Sequence, residues 1–174
     1  MRTLLAVTLL AVASPAHPAV VGTSSNGFEV QYTVDLVVPP ETTMSAFSNI
    51  GAWWDPKHTY SSDAGNLRLS LQPGGCFCER FPEGGGVEHM HVTYVDPGKR
   101  IVMTGSLGPL LYEATTGVMD VQVKPTAAGS QLTLDYKVAG FAGGGAAKMA
   151  PDVDSVLTEQ LKRFRKFATS RPRT

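Results

Sequence analysis

The stretch GFEVQYTVDLVVPPETTMSAFSNIGAWWDP, Gly27 to Pro56, decides the fold. Its first third alternates. Phe28, Val30, Tyr32, Val34, Leu36 and Val38 fall on one side, and Glu29, Gln31, Thr33 and Asp35 on the other. Neighbours in a strand point to opposite faces, so this is a half-buried strand. Pro39-Pro40 stops it, because proline has no amide to give a ladder. Met44, Phe47 and Ile50 then recur at helical spacing, and Gly51 ends a short helix. Two adjacent tryptophans follow, Trp53 and Trp54.

Downstream the chain reads as strands. A polar loop from Asp55 to Gly65 leads to strands over 66–71, 76–81, 87–95 and 100–104. Glycine- and proline-rich turns separate them. The segment GSLGPLL interrupts. A hairpin around PTAAG then joins strands over 114–124 and 130–138. The chain closes with a helix over 151–168. Val153, Val156, Leu157, Leu161, Phe164 and Ala168 form its apolar stripe. Lys162, Arg163, Arg165 and Lys166 lie mostly off that stripe and read as a solvated face. A strand, short helices, about six strands and a long terminal helix specify an α+β fold with helices gathered on one side of an antiparallel sheet.

Upstream, MRTLLAVTLLAVASPAHPA carries an early arginine, an apolar run over 4–13 and a small-residue boundary. That is the form of a signal peptide over 1–19, with cleavage after Ala16 or Ala19. The run is too short to span a bilayer. We expect a periplasmic or secreted protein, one domain over 20–174, with no stable membrane insertion after cleavage. At 174 residues with 43% hydrophobic content the chain can bury an ordinary core. Its formal net charge of +0 gives no footprint for nucleic acid.

Several stretches together resemble one superfamily. They are VVPPETTMSAFSNIGAWWDP, LQPGGCFCE, VTYVDPGKRIVMTG and VDSVLTEQLKRF, all between Phe28 and Phe167. Their order is similar to that of the SRPBCC, or START-like, superfamily, the helix-grip fold of the birch-pollen allergen. The nearest branches are the activator-of-heat-shock-protein-like and polyketide cyclase/dehydrase branches. The resemblance implies a curved antiparallel sheet wrapped on a long C-terminal helix, with two short helices after the first strand. It also implies a ligand cavity between sheet and helix. It implies no particular reaction, since lipid carriers, receptors, aromatases and cyclases share the fold. Export makes a cytosolic chaperone partner an unexpected one.

The stretch GGCFCERFPEGGGVEHMHVTYV, Gly74 to Val95, offers candidate chemistry. Cys76 and Cys78 share a strand face, as do His89 and His91. With PEGG as a four-residue loop, Cys78 faces His89, Cys76 faces His91, and Glu79 opposes Glu88. A one-residue slip sends the pairs to opposite faces. Three readings stand: a zinc or copper site, a Cys76–Cys78 disulfide at the limit of bridgeable distance, or thiols packed in a sheet. The spacing matches none of the common zinc patterns, so we expect no metal and no cofactor.

A small hydrophobic molecule is the expected partner. Candidate ligand-binding residues are Trp53, Trp54, Glu79, Glu88, Met90, Tyr112, Phe141, Leu157 and Leu161. One tryptophan is expected at the cavity and the other under the Asp55–Gly65 loop. Tyr112 and Phe141 sit by glycine-rich breaks, and Leu157 and Leu161 seal the core or the cavity floor. A polyketide-cyclase-like enzyme using Glu79, Glu88, His89 or His91 as acid or base is the alternative. A protein-binding accessory module is the third.

Overall fold

The computed structural model describes residues 19–170. The leader assigned to residues 1–19 lies outside them except for Ala19. The described residues form eight strands in one sheet, all neighbouring pairs antiparallel. They are β1 (Val20–Ser24), β2 (Gly27–Leu36), β3 (Leu67–Leu69), β4 (Cys76–Arg80), β5 (Gly86–Asp96), β6 (Arg100–Gly105), β7 (Ala114–Thr126) and β8 (Gly129–Phe141). Spatial order is β1-β2-β8-β7-β6-β5-β4-β3. Helix α1 spans Pro40–Ser48 and α2 spans Ala150–Ser170. This is the helix-grip α+β fold, with an open sheet and one long terminal helix.

The alternation from Phe28 to Leu36 becomes β2. Phe28, Val30, Val34 and Leu36 are buried, and Tyr32 stays half-buried because its hydroxyl donates to Asp154 on α2 at 2.9 Å. Pro40 stands in the first turn of α1, where its missing amide costs nothing. Helix α1 presents Met44, Ala46 and Phe47 inward and packs on β7 and β8. Helix α2 packs on β2 and α1 through Leu157, Leu161, Phe164 and Ala168. Phe164 meets Phe47 edge-on at 5.6 Å and Trp53 at 5.3 Å. These contacts close one core between helices and sheet.

Three features depart from the sequence reading. Strand β1, Val20–Ser24, has no alternation long enough to read, and it forms because β2 offers it an edge. Arg163 does not belong to a solvated face. Its Nε donates to the Trp53 carbonyl at 2.9 Å, so α2 holds the loop after α1 from below. Between β4 and β5 the register is neither of the two expected. Cys76 faces His91, but Cys78 faces Glu88 and Glu79 faces Val87. A bulge absorbs one residue of β5 between these pairs, so Cys78 does not oppose His89 and Glu79 does not oppose Glu88.

Candidate functional site

The bulge builds the site. It turns His89 to the buried face beside Met90, where strict alternation would have put only one of them inward. The backbone there is pinned from just after β6: the Ser106 amide donates to the His89 carbonyl at 3.1 Å. Gly105 lies at φ +152 against that same carbonyl, and a Cβ at this position would collide with it. His89 Nε2 lies 3.2 Å from Glu79 Oε2, and both side chains are nearly sealed from solvent.

Glu79 is also the anchor of the polar loop. It accepts from the Tyr60 amide at 3.0 Å and from the Ser61 amide. Burial opposes its ionisation. The hydrogen bonds from Ser61, from the Tyr60 amide and from His89 together outweigh that and hold its pKa below the usual carboxylate value. Burial lowers the pKa of His89, against the opposing pull of Glu79. The pair is therefore a carboxylate and a neutral imidazole at neutral pH. Asp55 accepts from the Lys57 amide at 3.0 Å and starts the turn Pro56–His58. Its own amide donates to Gln160 Oε1 at 2.8 Å, tying the loop to α2.

Between this loop and α2 lies a cavity of about 520 Å³. One wall is Trp54 with Lys57, His58, Thr59 and Tyr60. A second is the turn Gly108–Tyr112, with Leu107, Pro109 and Leu110. The third is α2, through Val153, Val156 and Leu157, with Met149 before them and Asp152 at the rim. His89 lines it from the sheet. The Tyr60 hydroxyl donates to the Gly108 carbonyl at 3.0 Å, joining two walls at the mouth. Burial and then the neighbouring Tyr112 push Tyr60 up to about 12, so it stays a neutral phenol.

The candidate residues separate into three groups. Trp54, Tyr112 and Leu157 line this cavity, and Glu79 stands behind His89. Trp53, Met90 and Leu161 lie in the core. The indole nitrogen of Trp53 donates to the Ala46 carbonyl at 3.1 Å, while that of Trp54 donates to the His58 carbonyl at 2.9 Å. Only Trp54 of the pair thus reaches the cavity wall. Glu88 is exposed and pairs with His91 at 3.1 Å, and Phe141 is exposed at the end of β8. Cys76 and Cys78 are joined as a disulfide with Cα atoms 5.4 Å apart. That separation lies within the ordinary bridging range rather than at its limit.

The sequence reading did not single out the loop residues Lys57, His58, Thr59 and Tyr60, the turn Leu107–Leu110, or Val153 and Val156 as cavity walls. GSLGPLL, read as an interruption, was the one available signal, since glycine- and proline-rich breaks are where chains wrap over a ligand.

The family model described as "Polyketide cyclase / dehydrase and lipid transport" matches residues 27–168. No curated protein matches the chain. Among solved structures, an uncharacterised protein from Rhizobium leguminosarum superposes with a TM-score of 0.59 at 18% identity, over 83% of this chain and 96% of that one. A protein from Chromobacterium violaceum gives 0.57 at 16% identity, over 82% and 99%. The di-domain ARO/CYC StfQ from the steffimycin biosynthetic pathway gives 0.54 at 13% identity, over 83% of this chain and 51% of that one. At these identities the likeness is one of fold.

Proposed function

Because the chain belongs to the polyketide cyclase/dehydrase and lipid transport family of the SRPBCC superfamily, we propose that it is an exported protein that binds a small hydrophobic molecule between α2 and the sheet. One observation carries this reading: the cavity of about 520 Å³ is walled mainly by Trp54, Leu107, Leu110, Met149, Val153 and Val156, its polar residues being His89, the loop residues 57–60, Tyr112 and Asp152. That volume and composition fit small-molecule sites. Export is supported by the leader-like sequence of residues 1–19 and by the Cys76–Cys78 disulfide, which suits an oxidising compartment. Among the described residues no helix is long and apolar enough to cross a membrane.

Native mass spectrometry of protein purified from its own host tests the proposal. The expected result is one equivalent of a non-peptide ligand, lost in Val156→Trp, which fills the cavity from α2. A chain that carries nothing and takes up no neutral hydrophobic fluorophore overturns it.

A second reading, an acid–base enzyme, is favoured by the Glu79–His89 pair at the cavity wall. Of the four acid–base candidates, only these two are brought together beside the cavity. Glu88 and His91 pair with each other in solvent.

A further inference from the structure

We infer that the cavity selects a neutral ring compound bearing a hydroxyl, whose O–H donates to Nδ1 of His89, over both its bare hydrocarbon and its carboxylate counterpart. This rests on the ligand-binding reading proposed for the same cavity.

Glu79 fixes the tautomer. Its two oxygens already accept from the Tyr60 and Ser61 amides, so toward His89 it acts as a further acceptor. Nε2 therefore carries the ring hydrogen and donates to Oε2. Nδ1 is left with a lone pair. Among the described residues it has no hydrogen-bond partner, and unlike the buried Gln160 Nε2 it is not sealed off.

Aromatic neighbours pack on the ring: Phe77 lies against it at 4.8 Å between centroids, and Tyr60 stacks on it at 5.8 Å. An acceptor at the wall of an apolar chamber rewards a ligand that brings a donor and penalises one that leaves it unpaired. Trp54, Tyr60 and Tyr112 supply aromatic surfaces for a ring.

The same arrangement disfavours anions. A ligand carboxylate at this edge would face a lone pair, with the Glu79 carboxylate directly behind it. Among the described residues Lys57 is the lysine or arginine that lines the cavity, and it stands on the loop. Carboxylate-headed ligands would have to seat at Lys57, away from the imidazole.

Equilibrium dialysis of the full chain with 2-naphthol, naphthalene and 2-naphthoate separates these outcomes. The expected order is naphthol, then naphthalene, then naphthoate, with naphthol preferred over naphthalene by about 3- to 10-fold. His89→Phe keeps the ring between Phe77 and Tyr60 and should abolish that preference while naphthalene still binds. Equal binding of naphthol and naphthalene by the wild type overturns this inference and leaves ligand binding intact. So does naphthoate binding tightest and losing that affinity in Lys57→Ala. Binding of none of the three overturns the ligand-binding proposal and this inference with it.

Discussion

Glu79 and His89 meet at 3.2 Å, carboxylate oxygen to imidazole nitrogen, although the ladder pairs Glu79 with Val87 and not with His89. The contact is diagonal and exists because β5 bulges opposite the step from Phe77 to Cys78. An unbulged β5 would turn His89 and Met90 to opposite faces. One irregularity therefore decides both the polarity of the cavity wall and the anchoring of the loop at Tyr60 and Ser61.

That double duty makes Glu79 more costly to lose than an ordinary surface acid. Glu79→Ala leaves two loop amides and an imidazole without their acceptor in a sealed place. The expected loss is about 2–4 kcal/mol. Glu88→Ala removes only an exposed partner of His91 and should cost within about 0.5 kcal/mol. Urea melts of both variants check the contrast, and equal losses would mean that Glu79 is not holding the loop.

Acid should weaken the fold through the same pair. The His89 pKa is lowered by burial from an ordinary value of 6.5, so the unfolded chain takes up a proton first as pH falls. Stability from this group is whole above about 6.5 and declines as pH drops from there toward the lowered folded value. Glu79, also lowered, adds a second decline below its ordinary value of 4.5. Tyr60, Tyr112, Lys57, His58 and Asp152 are the other titratable groups around the cavity. Denaturation midpoints between pH 7.5 and 5 should fall in the wild type. They should fall less in His89→Phe, and parallel curves would assign the acid sensitivity elsewhere.

Much of the fold was legible because its signals are local. The alternation from Phe28 to Leu36, the Pro39-Pro40 stop and the stripe through Leu157, Leu161 and Phe164 each fix an element and its buried face without reference to the rest of the chain. The site was legible only in part because its signals are not local. Cys76, Cys78, His89 and His91 stood out by composition, yet a bulge of one residue sorts them into a disulfide, a buried histidine on Glu79 and an exposed histidine on Glu88. Of Trp53 and Trp54, one was expected at the cavity and the other under the Asp55–Gly65 loop, but Trp54 does both and Trp53 lies in the core. What separates them is which carbonyl each indole finds, Ala46 in the core or His58 on the loop.

The terminal helix should show the difference between its faces. Leu161 is buried against the core, whereas Arg165 is exposed. Leu161→Ala should cost about 2–5 kcal/mol and Arg165→Ala within about 0.5 kcal/mol. Arg163→Ala should fall between them, since it removes the clamp on the Trp53 carbonyl. Denaturant melts of the three variants check this ranking, and an Arg163 variant as stable as the Arg165 one would show that the clamp contributes nothing.

Export predicts a particular start for the mature chain. Cleavage after Ala16 or Ala19 would leave a first residue between His17 and Val20, ahead of β1 or at its first position. N-terminal sequencing of protein from the cell envelope checks this. Recovery of an intact Met1 chain from the cytoplasm would remove the exported reading.

The disulfide should matter locally more than globally. Cys76 and Cys78 are separated by two positions, so the bond closes a very small loop and restricts the unfolded chain little. On the chain-entropy account it contributes about 1–2 kcal/mol, against a fold that already has an extensive apolar core. Its greater consequence lies in the residue between the sulfurs. Phe77 packs on Trp54 at 5.4 Å and on His89 at 4.8 Å, so the strand segment held by the disulfide supports two residues that line the cavity. A Cys76→Ser, Cys78→Ser double variant should therefore remain folded, with a modestly lower melting temperature. Hydrogen exchange should rise in β4 and at the β5 bulge before it rises in β7 and β8, the long central pair. Intact mass before and after reduction establishes the bond, and exchange mass spectrometry on both forms reads the effect. Uniform loosening across all strands would mean that the bond supports the whole sheet rather than this one strand.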